Sequence, residues 1–356
     1  MTEVRHRRDL PSLTGLRYLA ATAVVFCHVT HVLGPGTVTE QFSRIGYVGV
    51  EFFFVLSGFV LTWSHDPHVS IQSFYIRRFA RIYPLYIVTW VAVVAASHAL
   101  GIEQSWIGAL LGVILLQAWF PQQEIFQAGN TPGWSLSAEA FFYAAFPFII
   151  RRIPNGGWVT VLTVAVITTG GLLYSVSSLY SVWFAYYSPI YGILYFIAGM
   201  VLARHARNRT LRVPSLRVSL LALVGSFVVL SAFAFEMPKG YNEALMLPSI
   251  VLVIAAAARS DLTSIPSMWA HPVATRLGQW SFALYLVHWG ILGIVDKVRP
   301  DDFGAIGTLA GAIGFLCIAT LTAAGAYYVI ERPAERWVRG RWGGPQSPDP
   351  RAPMRP

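Results

Sequence analysis

Long runs of apolar residues, separated by short polar stretches, occupy almost the whole of this 356-residue chain. A run of about 17 to 25 apolar residues can cross the roughly 30 Å hydrocarbon core of a bilayer as a helix. We count eleven runs, near residues 13–33, 46–63, 84–100, 107–120, 134–150, 158–174, 185–203, 216–235, 243–258, 280–297 and 304–330. The pattern therefore predicts an all-α fold, a polytopic bundle of transmembrane helices.

Arginine clusters between the runs predict the orientation of the helices. The clusters are Arg5–Arg8, Arg77–Arg81, Arg151–Arg152, Arg204–Arg217, Arg259–Arg276 and Arg332–Arg341. The positive-inside rule places all of them in the cytoplasm, which requires an even number of crossings between successive clusters. Because three runs lie between Arg81 and Arg151, either the run at 107–120 or the run at 134–150 is not a full crossing. We therefore predict about ten spanning helices, with both termini cytoplasmic.

Composition supports a membrane protein, since 55% of the residues are hydrophobic and 12% are charged, against about 25% charged in soluble domains. The net charge of +9 could suit nucleic acid, but the basic residues lie at the ends of apolar runs, where they anchor helices. We predict a multi-pass protein of the cytoplasmic membrane. The lipid bilayer is its predicted partner, and we expect no nucleic-acid partner. A cytoplasmic segment 1–12, a transmembrane domain 13–333 and a disordered cytoplasmic tail 334–356 are expected.

Arg17 and His28 are costly residues inside the first apolar run. Their eleven-residue separation amounts to roughly three helical turns plus 20°, so both side chains lie on one stripe of a helix. Glu51, near the start of the second and oppositely directed run, is expected at the depth of His28. A histidine beside a carboxylate suits a general base or a nucleophile, and ionisable groups within membranes are functional by default. The structural alternatives are a pair that only fixes helix packing and an arginine that snorkels.

The string FYIRRFARIYPLY places Arg77, Arg78 and Arg81 just before the third run, with Tyr83 two residues further on. Three guanidinium groups flanked by tyrosines form a candidate site for phosphates and a stacked nucleobase. Ordinary anchoring at the cytoplasmic surface is the alternative.

Glu139 lies in an aromatic segment, GNTPGWSLSAEAFFY, where a carboxylate needs a partner; Arg17 and the arginines of 77–81 are candidates. The alternative for this segment is an interfacial loop with a belt of aromatic residues. Three neighbouring side chains are further candidates, Trp134, Ser135 and Tyr143. His288, in SFALYLVHW, is a second intramembrane histidine, and Glu331 in VIERP ends the last run.

Motifs for other chemistries are missing from the sequence. No P-loop, Cys-x-x-Cys or His-Glu-x-x-His occurs, so nucleotide hydrolysis and metal catalysis have no support, and we predict no metal site. Ser57 in VLSGF lacks the flanking glycines of a nucleophile elbow, and we interpret it with Gly58 as a close contact between helices.

Taken in order, these strings resemble the acyltransferase 3 family of integral membrane O-acyltransferases, from about Leu10 to Pro333. Each string is weak alone, but six in the family's order are a specific signal. The markers are the Arg-x10-His pair of Arg17 and His28, GVEFFFVLSGF at 49–59, the Arg-x-x-Arg of Arg78 and Arg81, PGWSLSAEAFFY at 132–143, FALYLVHW at 282–289 and the Glu-x-Pro of Glu331 and Pro333.

The resemblance implies an acyl-CoA donor, acetyl-CoA above all, used from the cytoplasmic side, and transfer of a short acyl group to a hydroxyl. Acceptors in the family are often sugars of surface polysaccharides, glycolipids, peptidoglycan or glycosylated antibiotics. The implied partner is therefore a hydroxyl-bearing sugar or a glycosylated small molecule. Sequence leaves open whether the histidine acts as a base or accepts the acyl group itself.

From the residues and the resemblance together we assign catalytic roles to His28, Glu51, Arg17 and Glu139, donor binding to Arg77, Arg78, Arg81 and Tyr83, and acceptor binding to Trp134, Ser135, Tyr143 and His288. Family members commonly carry a second acid after Glu139, where this chain has Ala140. The main rival function is a transporter or flippase for a polar or glycosylated substrate, with the charged residues along its path; an inactive scaffolding relative is a third possibility.

Overall fold

The computed structural model describes residues 9–34, 38–153, 183–208, 211–233, 241–298 and 304–343. Within these ranges the chain is helical and contains no strand. The helices are α1 Pro11–Leu33, α2 Val38–Ser43, α3 Val48–Trp63, α4 Ile71–Ala99, α5 Trp106–Val113, α6 Gln123–Phe126, α7 Gly133–Ile149, α8 Pro189–Asn208, α9 Leu216–Phe233, α10 Tyr241–Leu262, α11 Pro272–Val298, α12 Gly304–Ala326 and α13 Arg332–Trp342. Short 3-10 turns cover Arg44–Tyr47, Gln117–Trp119 and Met268–Ala270, and π-turns cover Trp183–Tyr187 and Tyr327–Glu331.

Seven helical stretches in the described part of the chain are long and apolar enough to cross a membrane. They are Pro11–Leu33, Arg44–Trp63, Ile71–Ala99, Trp183–Asn208, Ala244–Leu262, Pro272–Lys297 and Ile306–Trp342. The prediction of an all-α, polytopic membrane protein is confirmed, whereas the count of ten crossings stays a prediction. The predicted run at 158–174 and the arginines at 5–8 lie outside the described residues.

The run at 107–120 does not form a membrane-spanning helix. Helix α5 covers only eight residues, Trp106–Val113, or about 12 Å of helical rise. Leu115 then adopts a left-handed backbone with φ of 58°, which ends regular helix. Helix α7 has 17 residues, Gly133–Ile149, and rises about 25 Å. Neither α5 nor α7 is among the seven helices that are long and apolar enough to cross, so the number of crossings between Arg81 and Arg151 stays a prediction.

Arginines from separate clusters meet at one end of the bundle, which we call the basic end. The Nη1 atom of Arg204 lies 3.2 Å from the carbonyl oxygen of Ile150, and Nη1 of Arg207 lies 2.9 Å from that of Thr62. These guanidinium groups satisfy carbonyls at the ends of α7 and α3, which have no partner within their own helices. The opposite end of the bundle, the far end, holds the end of α1 at Leu33.

The beginning of the predicted disordered tail is ordered. Residues 334–342 belong to α13, which packs against α4, and Val338 is buried between them. Helix α13 is stabilised there because Arg339 Nη2 pairs with Glu335 Oε1 one turn earlier, at 2.5 Å. The proline-rich stretch 344–356 lies outside the described residues.

Two glycines let α3 and α8 approach closely. A Cβ on Gly58 would lie 1.9 Å from the carbonyl oxygen of Phe196, and a Cβ on Gly199 would lie 1.8 Å from that of Val55. Close backbone contact through small residues is how membrane helices gain van der Waals packing without a hydrophobic driving force. The crossing fixes the position of α3, and hence of the polar side chains that α3 carries.

We expect Gly58→Ala to lower the free energy of unfolding by about 1 to 3 kcal/mol, since the added methyl group overpacks the crossing. The control is Gly225→Ala in α9, where an added Cβ meets no atom within 4 Å. That change should be neutral or stabilise by up to about 1 kcal/mol through helix propensity. Unfolding in detergent measures both variants, and equal stabilities of the two would contradict the packing argument.

Candidate active site

A cavity of about 450 Å³ opens among α1, α3, α4, α7, α11 and α13, and we call it the basic cavity. It collects six of the side chains that the sequence singled out from separate helices, namely Arg17, Arg78, Arg81, Ser135, Glu139 and Tyr143. These six side chains, from α1, α4 and α7, therefore line one space, while their roles stay predictions.

Charges in the basic cavity are only partly compensated. Arg81 forms an ion pair with Glu331, and its Nη1 atom lies 3.7 Å from Glu335 Oε2. Arg17 and Arg78, by contrast, form no ion pair with any described residue. Neither guanidinium group has a carboxylate within ion-pair distance, although Glu331 and Glu139 lie within electrostatic range of Arg17, and an anionic ligand would pair with both groups directly.

Arg78 also lines a second, smaller cavity of about 210 Å³ at the basic end, which we call the side pocket. Leu61, Arg78 and Arg339 line both spaces, so the two are adjacent. The Cζ atom of Arg78 lies 5.9 Å from the ring centroid of Phe74, and Phe74 stacks on Phe146 at 5.2 Å. The side pocket therefore combines guanidinium groups with aromatic faces.

His65 lines the side pocket from the loop after α3. Burial lowers the pKa of His65 below its usual value of 6.5, and the nearby Arg207 guanidinium lowers this pKa further. A histidine with a lowered pKa gains its proton only at more acidic pH. At neutral pH the positive charge of the side pocket therefore comes from its arginines.

Glu139 has hydroxyl groups as its direct partners. Ser57 donates a hydrogen bond to Glu139 Oε1 at 2.8 Å, and the Tyr143 hydroxyl donates to the same oxygen. Arg17, a predicted partner, lies within electrostatic range of this carboxylate. Ser57, which we interpreted only as a packing residue, therefore belongs to the polar site, whereas its neighbour Gly58 makes the close helix contact.

His28 and His288 form what we call the histidine pair. Their rings are joined by a contact of 3.0 Å between His28 Nδ1 and His288 Nε2. His288 is fully buried, and its Nδ1 atom lies 3.2 Å from the carbonyl oxygen of Leu284. The sequence assigned His288 to the acceptor, but its contact in the structure is with His28.

The hydrogen bonds of the pair assign the tautomer of each ring. A carbonyl oxygen only accepts, so Nδ1 of His288 carries the proton, and Nε2 of the uncharged ring must accept. His28 therefore donates from Nδ1, which leaves the lone pair of His28 on Nε2. This is the form of imidazole that can remove a proton from a hydroxyl.

Aromatic rings surround His28. The rings of Tyr47 and Trp289 both lie edge-on, with centroids 5.3 Å from that of His28. Glu51 is buried on α3 and lies within electrostatic range of Tyr285. The pairing of Glu51 with His28 stays a prediction.

Six predicted site residues do not line the basic cavity, namely His28, Glu51, Arg77, Tyr83, Trp134 and His288. The Tyr83 hydroxyl donates to the carbonyl oxygen of Val113 at 3.1 Å. Trp134 is buried, with its ring centroid 5.0 Å from Tyr186 and 4.8 Å from Tyr187. Arg77 lines the side pocket only.

Tyr285 is a site residue that the sequence analysis missed. Its hydroxyl lies 2.8 Å from Ser135 Oγ, and its ring centroid lies 6.0 Å from that of His288. Tyr285 therefore stands between the basic cavity, which it lines, and the histidine pair. The sequence could have indicated Tyr285, because it lies three residues before His288 and residues three apart share one face of a helix. Arg339 and Glu335 were missed because they fall in the segment predicted as a disordered tail.

Comparison with known proteins identifies relatives. Residues 10–330 match the family model described as "Acyltransferase domain", in agreement with the resemblance of the motifs. The chain is 32% identical over 372 aligned positions to acyltransferase MdmB of Streptomyces mycarofaciens, covering 96% of this chain and 95% of that protein. It is 27% identical over 344 positions to peptidoglycan O-acetyltransferase OatA of Listeria monocytogenes, covering 84% of this chain but only 53% of that protein. No solved structure matches the chain.

The tautomer of His28 can be measured directly. We expect solid-state NMR of protein with ¹⁵N-labelled histidine to give a protonated Nδ1 and an unprotonated Nε2 for His28 at neutral pH. The signal is assigned by its loss in His28→Gln. In His288→Leu, the acceptor for Nδ1 is gone, and we expect the two tautomers of His28 to mix. An Nε2-protonated His28 in the unaltered protein would contradict the assignment.

Proposed function

The chain belongs to the acyltransferase family whose domain it matches over residues 10–330, and on that premise we propose that it moves a short acyl group from acyl-CoA to a hydroxyl of a carbohydrate or glycosylated acceptor. The family and the names of the relatives establish an O-acyltransferase. The donor, the acceptor and the roles of individual residues form the proposal.

The donor is supported chiefly by one observation, the two guanidinium groups of Arg17 and Arg78 that face the basic cavity without a carboxylate. Phosphate groups are the ligands that arginine forks bind best. Coenzyme A would place its phosphates on Arg78 and Arg77 and its adenine against the ring of Phe74 in the side pocket. Acetyl-CoA is the simplest such donor.

The donor's pantetheine arm would follow helix α1 towards the histidine pair. Arg17 and His28 are eleven residues apart, or about 16 Å along the helix, a distance comparable with an extended phosphopantetheine arm. Arg17 is therefore too far along the helix to stabilise charge at the reacting carbonyl beside His28. Its role in the proposal is to hold the donor, while Tyr285 lies where the arm would end.

His28 acts as the general base in the proposed reaction. Its Nε2 atom takes the proton of the acceptor hydroxyl, and the hydroxyl oxygen attacks the thioester carbonyl carbon. The tetrahedral intermediate breaks its C–S bond, and the CoA thiolate leaves and receives the proton from His28. The products are an ester and CoA-SH. His288 serves as a positioning residue, because its Nε2 atom holds the proton of His28 on Nδ1.

A carbohydrate or glycosylated acceptor draws support from the relative named a peptidoglycan O-acetyltransferase. In the proposal the protein lies in the cell membrane, and the basic end faces the cytoplasm by the positive-inside rule. A transporter or flippase would release its substrate unchanged, whereas the proposed enzyme gives a product heavier by one acyl group. Mass spectrometry of the lipids, envelope glycans and secreted metabolites of a deletion strain would find the missing acyl increment.

His28→Ala should reduce acyl transfer by about 10²- to 10⁴-fold, the range that a positioned general base contributes. The assay follows release of CoA-SH and formation of the acylated product. His98→Ala, at the exposed end of α4, is the matched control and should keep full activity. Full activity of a folded His28→Ala protein would refute the assigned role.

Arg78→Gln should weaken acetyl-CoA binding by about 10- to 150-fold, because a hydrogen bond to a charged group contributes about 1.5 to 3 kcal/mol. Arg332→Gln removes an exposed arginine at the same end that lines neither the basic cavity nor the side pocket, and should leave binding unchanged. Calorimetry in detergent at low and high salt measures both variants. Equal losses in the two variants would indicate non-specific attraction to the basic end.

A further inference from the structure

A third cavity, of about 650 Å³, lies at the far end of the bundle, and we call it the far cavity. Its walls are the ends of α1, α4 and α11 together with the segment from residue 102 to residue 131. Its volume falls within the range of about 300 to 1,000 Å³ that is typical of small-molecule sites.

The histidine pair lies between the far cavity and the basic cavity. On α1, Arg17 lines the basic cavity and Val32, one turn beyond His28, lines the far cavity. On α11, Tyr285 lines the basic cavity and Trp289, directly after His288, lines the far cavity. Trp289, whose ring contacts His28, therefore stands between the far cavity and the proposed base, on the side opposite the donor.

The two cavities differ in charge. In the part of the chain that the structure describes, four arginines line the basic cavity together with Glu139 and Glu335, whereas three carboxylate residues and no lysine or arginine line the far cavity, the three being Glu103, Glu124 and Asp296. A cavity of this sign repels the phosphates of coenzyme A and any other anionic ligand. It admits an uncharged ligand or one that carries a protonated amine.

The remaining lining of the far cavity suits a polyhydroxylated ligand. Trp289 offers an aromatic face for the C–H surface of a sugar ring, and Gln127 and Thr131 bring an amide and a hydroxyl group. Gln104 shapes the wall, since it donates to Ser97 Oγ at 2.8 Å and accepts from the backbone of Gly129 at 2.9 Å.

Asn130 is a buried polar residue beside the far cavity, between two residues that line it. Its Nδ2 atom donates to Thr89 and to the carbonyl oxygen of Leu286, at 3.3 Å and 3.0 Å. Its Oδ1 atom has no hydrogen-bond partner in the part of the chain that the structure describes. A buried acceptor without a donor costs free energy, but Asn130 does not itself line the far cavity.

We infer that the far cavity is the acceptor site, and that it selects a sugar or sugar-bearing molecule without phosphate or carboxylate groups. This inference rests on the proposed function, in which His28 removes a proton from the acceptor hydroxyl. Donor and acceptor then enter from opposite ends of the bundle and meet at the histidine pair.

Cysteine reporters test the two sites separately. Cys317 is exposed and Cys27 is buried, so Cys317→Ala gives a background with little thiol labelling. In that background, Ala96→Cys reports on the far cavity and Gln279→Cys reports on the basic cavity, because both residues line those spaces. The rate of labelling by a membrane-impermeant maleimide is measured for the protein in sealed, oriented vesicles.

The probes are methyl α-glucoside, glucosamine, glucose 6-phosphate and acetyl-CoA. A bound probe slows labelling by the factor 1 + [L]/Kd, or about threefold at twice the dissociation constant. We expect the neutral and cationic sugars to protect Ala96→Cys, and glucose 6-phosphate and acetyl-CoA not to protect it. Acetyl-CoA should protect Gln279→Cys, and the two reporters should be labelled from opposite sides. Adding Trp289→Ala should abolish protection by sugars but keep protection by acetyl-CoA.

The outcomes separate the inference from the proposed function. If acetyl-CoA protects Gln279→Cys but no sugar protects Ala96→Cys, or glucose 6-phosphate protects it equally, the acceptor site is refuted while the donor site stands. Labelling of both reporters from the same side also refutes it. If acetyl-CoA fails to protect Gln279→Cys, the proposed donor site fails, and the inference fails with it.

Discussion

Ionisable and polar groups inside a membrane bundle must find their partners within the protein, because lipid offers none. Glu331 meets this requirement through Arg81, Glu139 through the hydroxyls of Ser57 and Tyr143, and His28 through His288. Except for the bond between Glu139 and Tyr143, which lies within α7, each of these partnerships joins different helices, so the polar groups also fix which helices are neighbours. Against this background, the guanidinium groups of Arg17 and Arg78 differ, because neither forms an ion pair with a described residue, and we propose that a donor binds there.

Helical geometry explains which parts of the site could be predicted from the sequence. Ser135, Glu139 and Tyr143 follow one another at intervals of four residues, so they share a face of α7, and all three line the basic cavity. Arg81 and Tyr83 are two residues apart, about 200° around the helix, so a site that contains one excludes the other. Applying that spacing would have removed Tyr83 from the candidates. Trp134 lies about 200° around α7 from Leu136, which lines the cavity, and it packs instead against Tyr186 and Tyr187.

Contacts between distant helices could not be predicted from one sequence. His28 and His288 are 260 residues apart, and apolar periodicity shows that a helix exists without showing which helix lies beside it. The same limit applies to α13, whose polar sequence resembles a solvated tail until Arg81 and Glu331 are seen to lie beside it. The arginine clusters predicted an incomplete crossing, because an even number of crossings must separate two clusters on the same side of the membrane. The eight-residue length of α5 could not be predicted from the longer apolar run at 107–120.

The charge asymmetry that orients a membrane protein also gives the two cavities linings of different charge. Arginines at the basic end anchor the helices and, in the basic cavity, offer charge to a phosphorylated donor, whereas the far cavity carries the opposite sign. No residue lines both cavities in the described chain, and the ring of Tyr285 and the histidine pair lie between them. In the proposed reaction, a thioester that ends beside Tyr285 would be attacked at His28. Because the rings of Tyr47 and Trp289 lie against His28, an acceptor seated against Trp289 would exclude water from the proposed base when its own hydroxyl is activated.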